Sequence, residues 1–217
     1  MAAMSEPRAR ALPRGPHKLT RDEVERSQRQ RLLQAATEAV AEKGYVSTTV
    51  ADILRRAGVS RTTFYRMFKD KQDCFLAAHR DNAELVAELL AAELAAARAV
   101  PGVDPLGVLD RVLGTYLELL HSAPALARVF LVEVYAAGPV AIEQRRRSLE
   151  RFVDVVAETY RGSSGPLGTE PDQRMAAEVL VGAVSSMVTN AVGAGDAEAL
   201  PALRAPLMQL AERILGH

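Results

Sequence analysis

At 217 residues the chain is long enough to bury a substantial core, and its 48% hydrophobic content contains five Phe, five Tyr and no Trp, a balance that favours helices over strands. Its net charge is zero, but residues 1–73 carry 15 Lys+Arg against 9 Asp+Glu and the remainder 12 against 18, so only the front end suits a polyanion. A single cysteine, Cys74, excludes an internal disulfide framework and points to a reducing cytoplasm, and no uninterrupted apolar run reaches the roughly 18 residues of a membrane span.

Residues 1–20, rich in Pro, Arg and Ala, have no apolar stretch behind their charges and read as a disordered arm, not a secretory signal. From about Asp22 to Lys43 a helix carries Leu32, Leu33, Ala36, Ala39 and Val40 on one stripe and stops at Gly44. Of its arginines Arg26, Arg29 and Arg31, one is expected near a phosphate. Thr49, with Asp52 three residues on, forms a capping box for a short helix bearing Val50, Ile53, Leu54 and Ala57. Gly58 takes the left-handed position that ends it, and Ser60 caps the next helix, Arg61 to about Lys69. There Phe64 and Phe68, four apart, turn inward. Arg61, Thr62, Thr63, Tyr65 and Arg66 are left outside, a set of cationic and hydroxyl groups suited to the major groove and its phosphates. The pair of helices is a helix-turn-helix. Asp70, boxed with Asp73, starts a further helix, and Lys71 in its first turn is placed for a phosphate.

That helix continues without a breaker to about Val100, roughly 45 Å at 1.5 Å per residue, and Pro101-Gly102 stops it. Asp104 and Pro105 open a helix that runs to His121. Pro124 begins a short one through Tyr135, Gly138-Pro139 breaks it, and another extends from Ile142 to Tyr160. Residues 162–171 form a Gly/Ser/Pro-rich loop. Asp172 to about Val192 is apolar or small nearly all round, so it is buried on more than one side. Pro201 fits the start of a last helix, which Pro206 is expected to bend. The fold class is therefore all-α: an N-terminal three-helix domain with the helix-turn-helix and a C-terminal helical bundle, about nine helices in all. The domains are 1–20 as an arm, 21–70 for DNA and 71–217 for ligand binding and dimerisation. The two C-terminal helices carry more apolar surface than one protomer readily covers. A twofold partner is expected there, with Gly182, Ser185, Ser186 and Thr189 permitting close approach; the alternative is that they form the protomer's own core.

The stretch from about Arg31 to Phe75 resembles the DNA-binding domain of the TetR family of transcriptional repressors. The matching residues are Glu42-Lys43-Gly44-Tyr45, Thr48-Thr49-Val50, Ala57-Gly58-Val59-Ser60, Thr63-Phe64-Tyr65, and Phe68 before Lys71. Thr62 stands where the family often has Gly, and Met67 where an aromatic or His is common. The resemblance implies a homodimer on a palindromic double-stranded DNA operator, and a small, apolar effector among the C-terminal helices that displaces the long helix. The expected DNA-binding set is Thr49, Ser60, Arg61, Thr62, Thr63, Tyr65, Arg66 and Lys71. Thr49, Arg61, Thr63, Tyr65 and Lys71 are assigned to phosphates, and Arg61, Thr62, Thr63 and Arg66 to base edges.

Chemistry of other kinds has little foothold. The four histidines show no metal-ligand spacing, and there is neither a phosphate-cradling glycine loop nor a nucleophile elbow, so no enzyme, metal or cofactor is expected. Arg145-Arg146-Arg147 with Arg151 reads as a solvated face paired with Glu143, Glu150 and Asp154. Polar and soft side chains interrupting apolar faces mark Tyr116, His121, Phe130, Glu133, Met187 and Asn190 as candidate effector contacts. The rival reading is a ligand-binding or scaffolding helical bundle in which the helix-turn-helix is vestigial.

Overall fold

The computed structural model describes residues 20–160 and 170–215; the expected N-terminal arm and most of the Gly/Ser/Pro-rich loop lie outside the described residues. Among the described residues every regular element is helical, and the chain divides between His79 and Arg80 into two units.

In the first unit, α1 (Arg21–Ser47) is capped by Thr20, whose hydroxyl accepts from the Glu23 amide while the Glu23 carboxylate accepts from the Thr20 amide at 2.7 Å. Gly44 does not end this helix but kinks it: its φ of 80° leaves the helical region, and one more turn follows to Ser47. Thr48, almost fully buried, closes the kink by donating to the Ala39 and Gly44 carbonyls. Then come α2 (Val50–Ala57), which ends at Gly58 with φ 62°, and α3 (Arg61–Met67). The fourth helix, α4 (Lys71–Arg98), supplies its first two turns to the same core. Leu32, Ala36, Ile53, Phe64, Phe68, Cys74 and Ala78 form one buried cluster. A boundary drawn at residue 70 would therefore expose Cys74, Ala77 and Ala78, which is why the structure divides after His79. Burial pushes the Cys74 thiol up to about 12, so it stays protonated and behaves as a small apolar side chain.

Asp52 ties α1 to α2. Its carboxylate accepts from the Thr49 amide at 2.9 Å and the Thr49 hydroxyl at 2.6 Å, and pairs with Lys43 at 2.5 Å and Arg55 at 2.7 Å. The Lys43 contact first, and Thr49 after it, hold this carboxyl well below the usual carboxylate range. A lowered folded pKa stabilises fully above the pKa of an unfolded aspartate, about 4, and that stabilisation is lost as the pH falls below it. The thermal midpoint of the first unit is expected to fall between about pH 5 and pH 3, and Asp52→Asn to flatten that limb. The same acid limb in the variant would remove Asp52 from the role.

The second unit contains the rest of α4, α5 (Pro105–Ser122), α6 (Pro124–Ala136), α7 (Pro139–Tyr160), α8 (Glu170–Gly193), a 3-10 turn (Ala197–Leu203) and α9 (Arg204–Leu215). Asp104 caps α5 by accepting from the Gly107 amide at 2.7 Å, and α6 leaves α5 at 102°. Leu113, Leu117, Leu131, Val188, Leu200 and Leu207 fill the core between them. A two-pronged ion pair from Arg204 to Asp110, both bonds 2.8 Å, joins α9 to α5. Pro206 falls in the first turn of α9, which starts at Arg204, where a proline's missing N–H has no partner within that helix to lose. The segment Asp172–Gly193 of α8 is, by length and average composition alone, apolar enough to cross a membrane, as core helices also are, although Ser185, Ser186, Thr189 and Asn190 interrupt its apolar run.

Candidate nucleic-acid interface and effector site

The interface is built on α3. Ser60 caps it by accepting from the Thr63 amide at 3.1 Å, and the two hydroxyls bond at 2.9 Å. Phe64 is fully buried, with Phe68 at a ring separation of 5.7 Å and the Tyr65 ring edge-on at 5.3 Å. With that face occupied, Arg61, Thr62, Tyr65 and Arg66 are exposed and Thr63 is half-buried. Arg61 reaches Tyr65, four residues on, by a 3.5 Å hydrogen bond and lies 5.5 Å over its ring. Thr62 and Arg66, also four apart and so on one side of the helix, make no hydrogen bond or ion pair among the described residues. No acidic residue lies within α3.

Two expected phosphate ligands, Lys71 and Thr49, and one of the three candidate arginines of α1, Arg31, are engaged within the protein. Lys71 is half-buried, its ammonium donating to the Tyr45 carbonyl at 2.7 Å and sitting 4.1 Å from the centre of that ring; burial lowers its pKa. It links α4 to the end of α1. Thr49 is exposed, but its one hydroxyl proton goes to Asp52. Arg31 donates to the Ala57 carbonyl at 2.9 Å and its Nε is buried without a partner, so it finishes α2 from within. The partners of Lys71 and Arg31 lie 26 residues away, where local sequence does not reveal them, whereas Asp52 is the capping-box partner already read for Thr49.

The effector candidates separate in the same way. Tyr116, half-buried on α5, packs its ring 6.4 Å from that of Phe152 on α7. His121 Nδ1 lies 3.1 Å from the Ala197 carbonyl, and Glu133 pairs with Arg128 at 3.3 Å. Phe130 is half-buried. Met187 and Asn190 are exposed, which removes them from the interior: with Val188 buried, neighbours about 100° to 200° round the helix must face away.

The arginine run is also corrected. Arg146 and Arg147 pair with Glu143, and Arg146 also with Glu150, on an exposed face. Arg145 is 7% exposed. It donates through Nε to the Tyr135 hydroxyl at 3.2 Å, and through Nη2 to Ser185 at 2.9 Å and Thr189 at 3.0 Å. Ser185 and Thr189, expected at a helix–helix seam between protomers, thus point into their own unit. Burial raises the pKa of Tyr116, against which the charge of Arg145 works in the opposite sense. A sequence signal for Arg145 existed: it shares the inward stripe of Ala141, Phe152 and Val156, whereas Arg146 and Arg147 do not. Along the same helices lies an apolar cavity of about 40 Å³, bounded by Leu109, Leu113, Val156, Val181, Val184 and Met208 among others. Among the described residues, no group of His, Cys, Asp and Glu could hold a metal ion.

Residues 32–78 match the profile of the bacterial regulatory proteins of the tetR family. The chain is 30% identical over 172 residues to the HTH-type transcriptional regulator AcrR of Shigella flexneri, covering 75% of this chain and 77% of that one. It is 23% identical over 160 residues to the fatty acid metabolism regulator protein of Bacillus subtilis, covering 73% and 80%. Among solved structures, that of FadR from Bacillus subtilis in complex with stearoyl-CoA superposes with a TM-score of 0.71 at 21% identity, covering 87% of this chain and 98% of that one. These relatives are transcriptional regulators. With the helix-turn-helix and the all-helical fold in place, the chain belongs to the TetR family of bacterial transcriptional regulators.

Proposed function

We propose that two copies of the chain bind a palindromic operator as a repressor and that a small effector in the second unit controls the binding. The observation that carries it is the outer face of α3, where Thr62 and Arg66 stand exposed and uncommitted above a helix held by buried Phe64 and Phe68. Those two reach base edges; Arg61, Tyr65 and the Ser60–Thr63 pair hold phosphates. Two recognition helices must match half-sites about 34 to 36 Å apart or a multiple of that, so a small displacement of α4 by effector is enough to break register. Coupling of this kind is reciprocal: DNA weakens effector binding by the same factor.

A homodimer is supported by the outward face of α8, where Met175 and Val179 are 66% and 52% exposed and Gly182 and Ser186 leave room for a helix. Contiguous exposed apolar surface of this sort marks an interface. For the effector, the apolar cavity and the stearoyl-CoA complex of FadR both favour a ligand with a hydrocarbon chain. A filled pocket commonly spans roughly 300–1,000 Å³, so α5, α7, α8 and α9 must part to admit one.

Fluorescence anisotropy with a duplex from the region upstream of the encoding gene tests the reading. Tight binding that survives excess competitor DNA is expected; weak, sequence-blind binding would favour a helical bundle with a vestigial helix-turn-helix. Arg66→Ala is expected to cost about 1–3 kcal/mol and to relax preference at the bases it meets. A uniform loss across all sequences would make Arg66 a phosphate contact instead.

A further inference from the structure

Arg145 is a cation taken out of water and surrounded by neutral hydroxyls. Buried charges are ordinarily paired with an opposite charge, since dipoles alone offset desolvation poorly. Among the described residues Arg145 makes no ion pair, its bonds going only to Tyr135, Ser185 and Thr189. Its Nη1 donates to nothing among them and is not sealed from solvent, so it remains open to an incoming acceptor. With Nε and Nη2 committed to the three hydroxyls, Nη1 is the nitrogen left to donate to a carboxylate oxygen, a charge-assisted bond.

The surroundings give the rest of the ligand. On α7, Arg145, Phe152 and Val156 share a face, and Val156 borders the apolar cavity. On α8, Ser185 lies one turn from Val181, and on α5, Tyr116 lies one turn from Leu113, both cavity residues. The three helices that bound the apolar space therefore carry the polar cluster further along the same faces. From Arg145 to Val156 is about 16 Å of helix, the reach of a medium- to long-chain acyl group.

We propose that Arg145 anchors the anionic end of the effector, and that this effector is a fatty acid, its carboxylate accepting from Arg145 Nη1 and its chain running toward Val156. The proposal rests on the reading that the second unit binds an effector with a hydrocarbon chain. Tyr135, half exposed and 5.7 Å from the guanidinium at its ring centre, covers the head group from outside.

Isothermal titration of the full chain with myristate, myristyl alcohol and myristoyl-CoA tests it. Myristate is expected to bind about tenfold or more tighter than the alcohol, the difference a charge-assisted pair supplies. Arg145→Met is expected to erase that preference by weakening the acid alone, and Arg145→Lys to restore part of it. Equal binding of acid and alcohol by the natural protein overturns the carboxylate anchor while leaving a hydrocarbon-chain effector intact. Tighter binding of the CoA ester, unchanged in Arg145→Met, overturns it likewise. Binding of none of the three overturns both the proposal and the reading beneath it. If Arg145→Met fails to fold, the acid-against-alcohol comparison in the natural protein and in Arg145→Lys still decides.

Discussion

Replacing Phe64 by alanine is expected to destabilise the first unit by about 3–5 kcal/mol. The side chain is fully buried, in one cluster with Leu32, Ile53, Phe68 and Cys74, so its removal takes away apolar burial and leaves a cavity that helices on every side cannot close. A unit of this size has only a few kcal/mol to lose. The expected result is loss of the ordered helix-turn-helix at ordinary temperature: a low-denaturant transition by circular dichroism and no operator binding, with the second unit still folded. Phe64→Leu, which keeps most of the volume, is expected to retain both. A cost under about 1 kcal/mol for the alanine variant would mean that α3 is held from elsewhere, and the account of how it is presented to DNA would fail.

The second large effect is expected at Val179, half exposed on the outward face of α8 between Met175 and Gly182. Val179→Glu places a charge where a partner copy is proposed to cover the helix, and burying it there unpaired is prohibitive. Because the residue faces outward within its own protomer, helix content and the core are expected to be unchanged. Sedimentation should therefore report a folded monomer. Operator affinity should fall by about 100-fold or more, since the gain from joining two half-site contacts is of order 10² to 10⁴. A variant that remains dimeric moves the interface off this face, and a monomer with undiminished operator affinity contradicts the two-half-site reading.

The elements that could be read along the chain are those whose cause is local. Thr49 with Asp52, Gly58, Ser60 and Asp104 with Pro105 each satisfy free backbone groups within three or four residues, and the structure places those caps as expected. The inward turn of Phe64 and Phe68 follows from their spacing, and it settles which side chains of α3 remain outside. What local pattern left open was the fate of long cationic side chains, because their partners are distant in sequence. Lys71 finds the Tyr45 carbonyl, Arg31 the Ala57 carbonyl, and Arg145 the hydroxyls of Ser185 and Thr189. Of three arginines in a row only Arg145 lies on the inward stripe of α7, but its hydroxyl partners on α8 are 40 and 44 residues away, and it is the packing of α7 against α8 that brings them together. The division after His79 has the same origin: α4 is continuous in sequence, and only the packing of its first turns against α1 assigns Cys74 and Ala78 to the DNA-binding core.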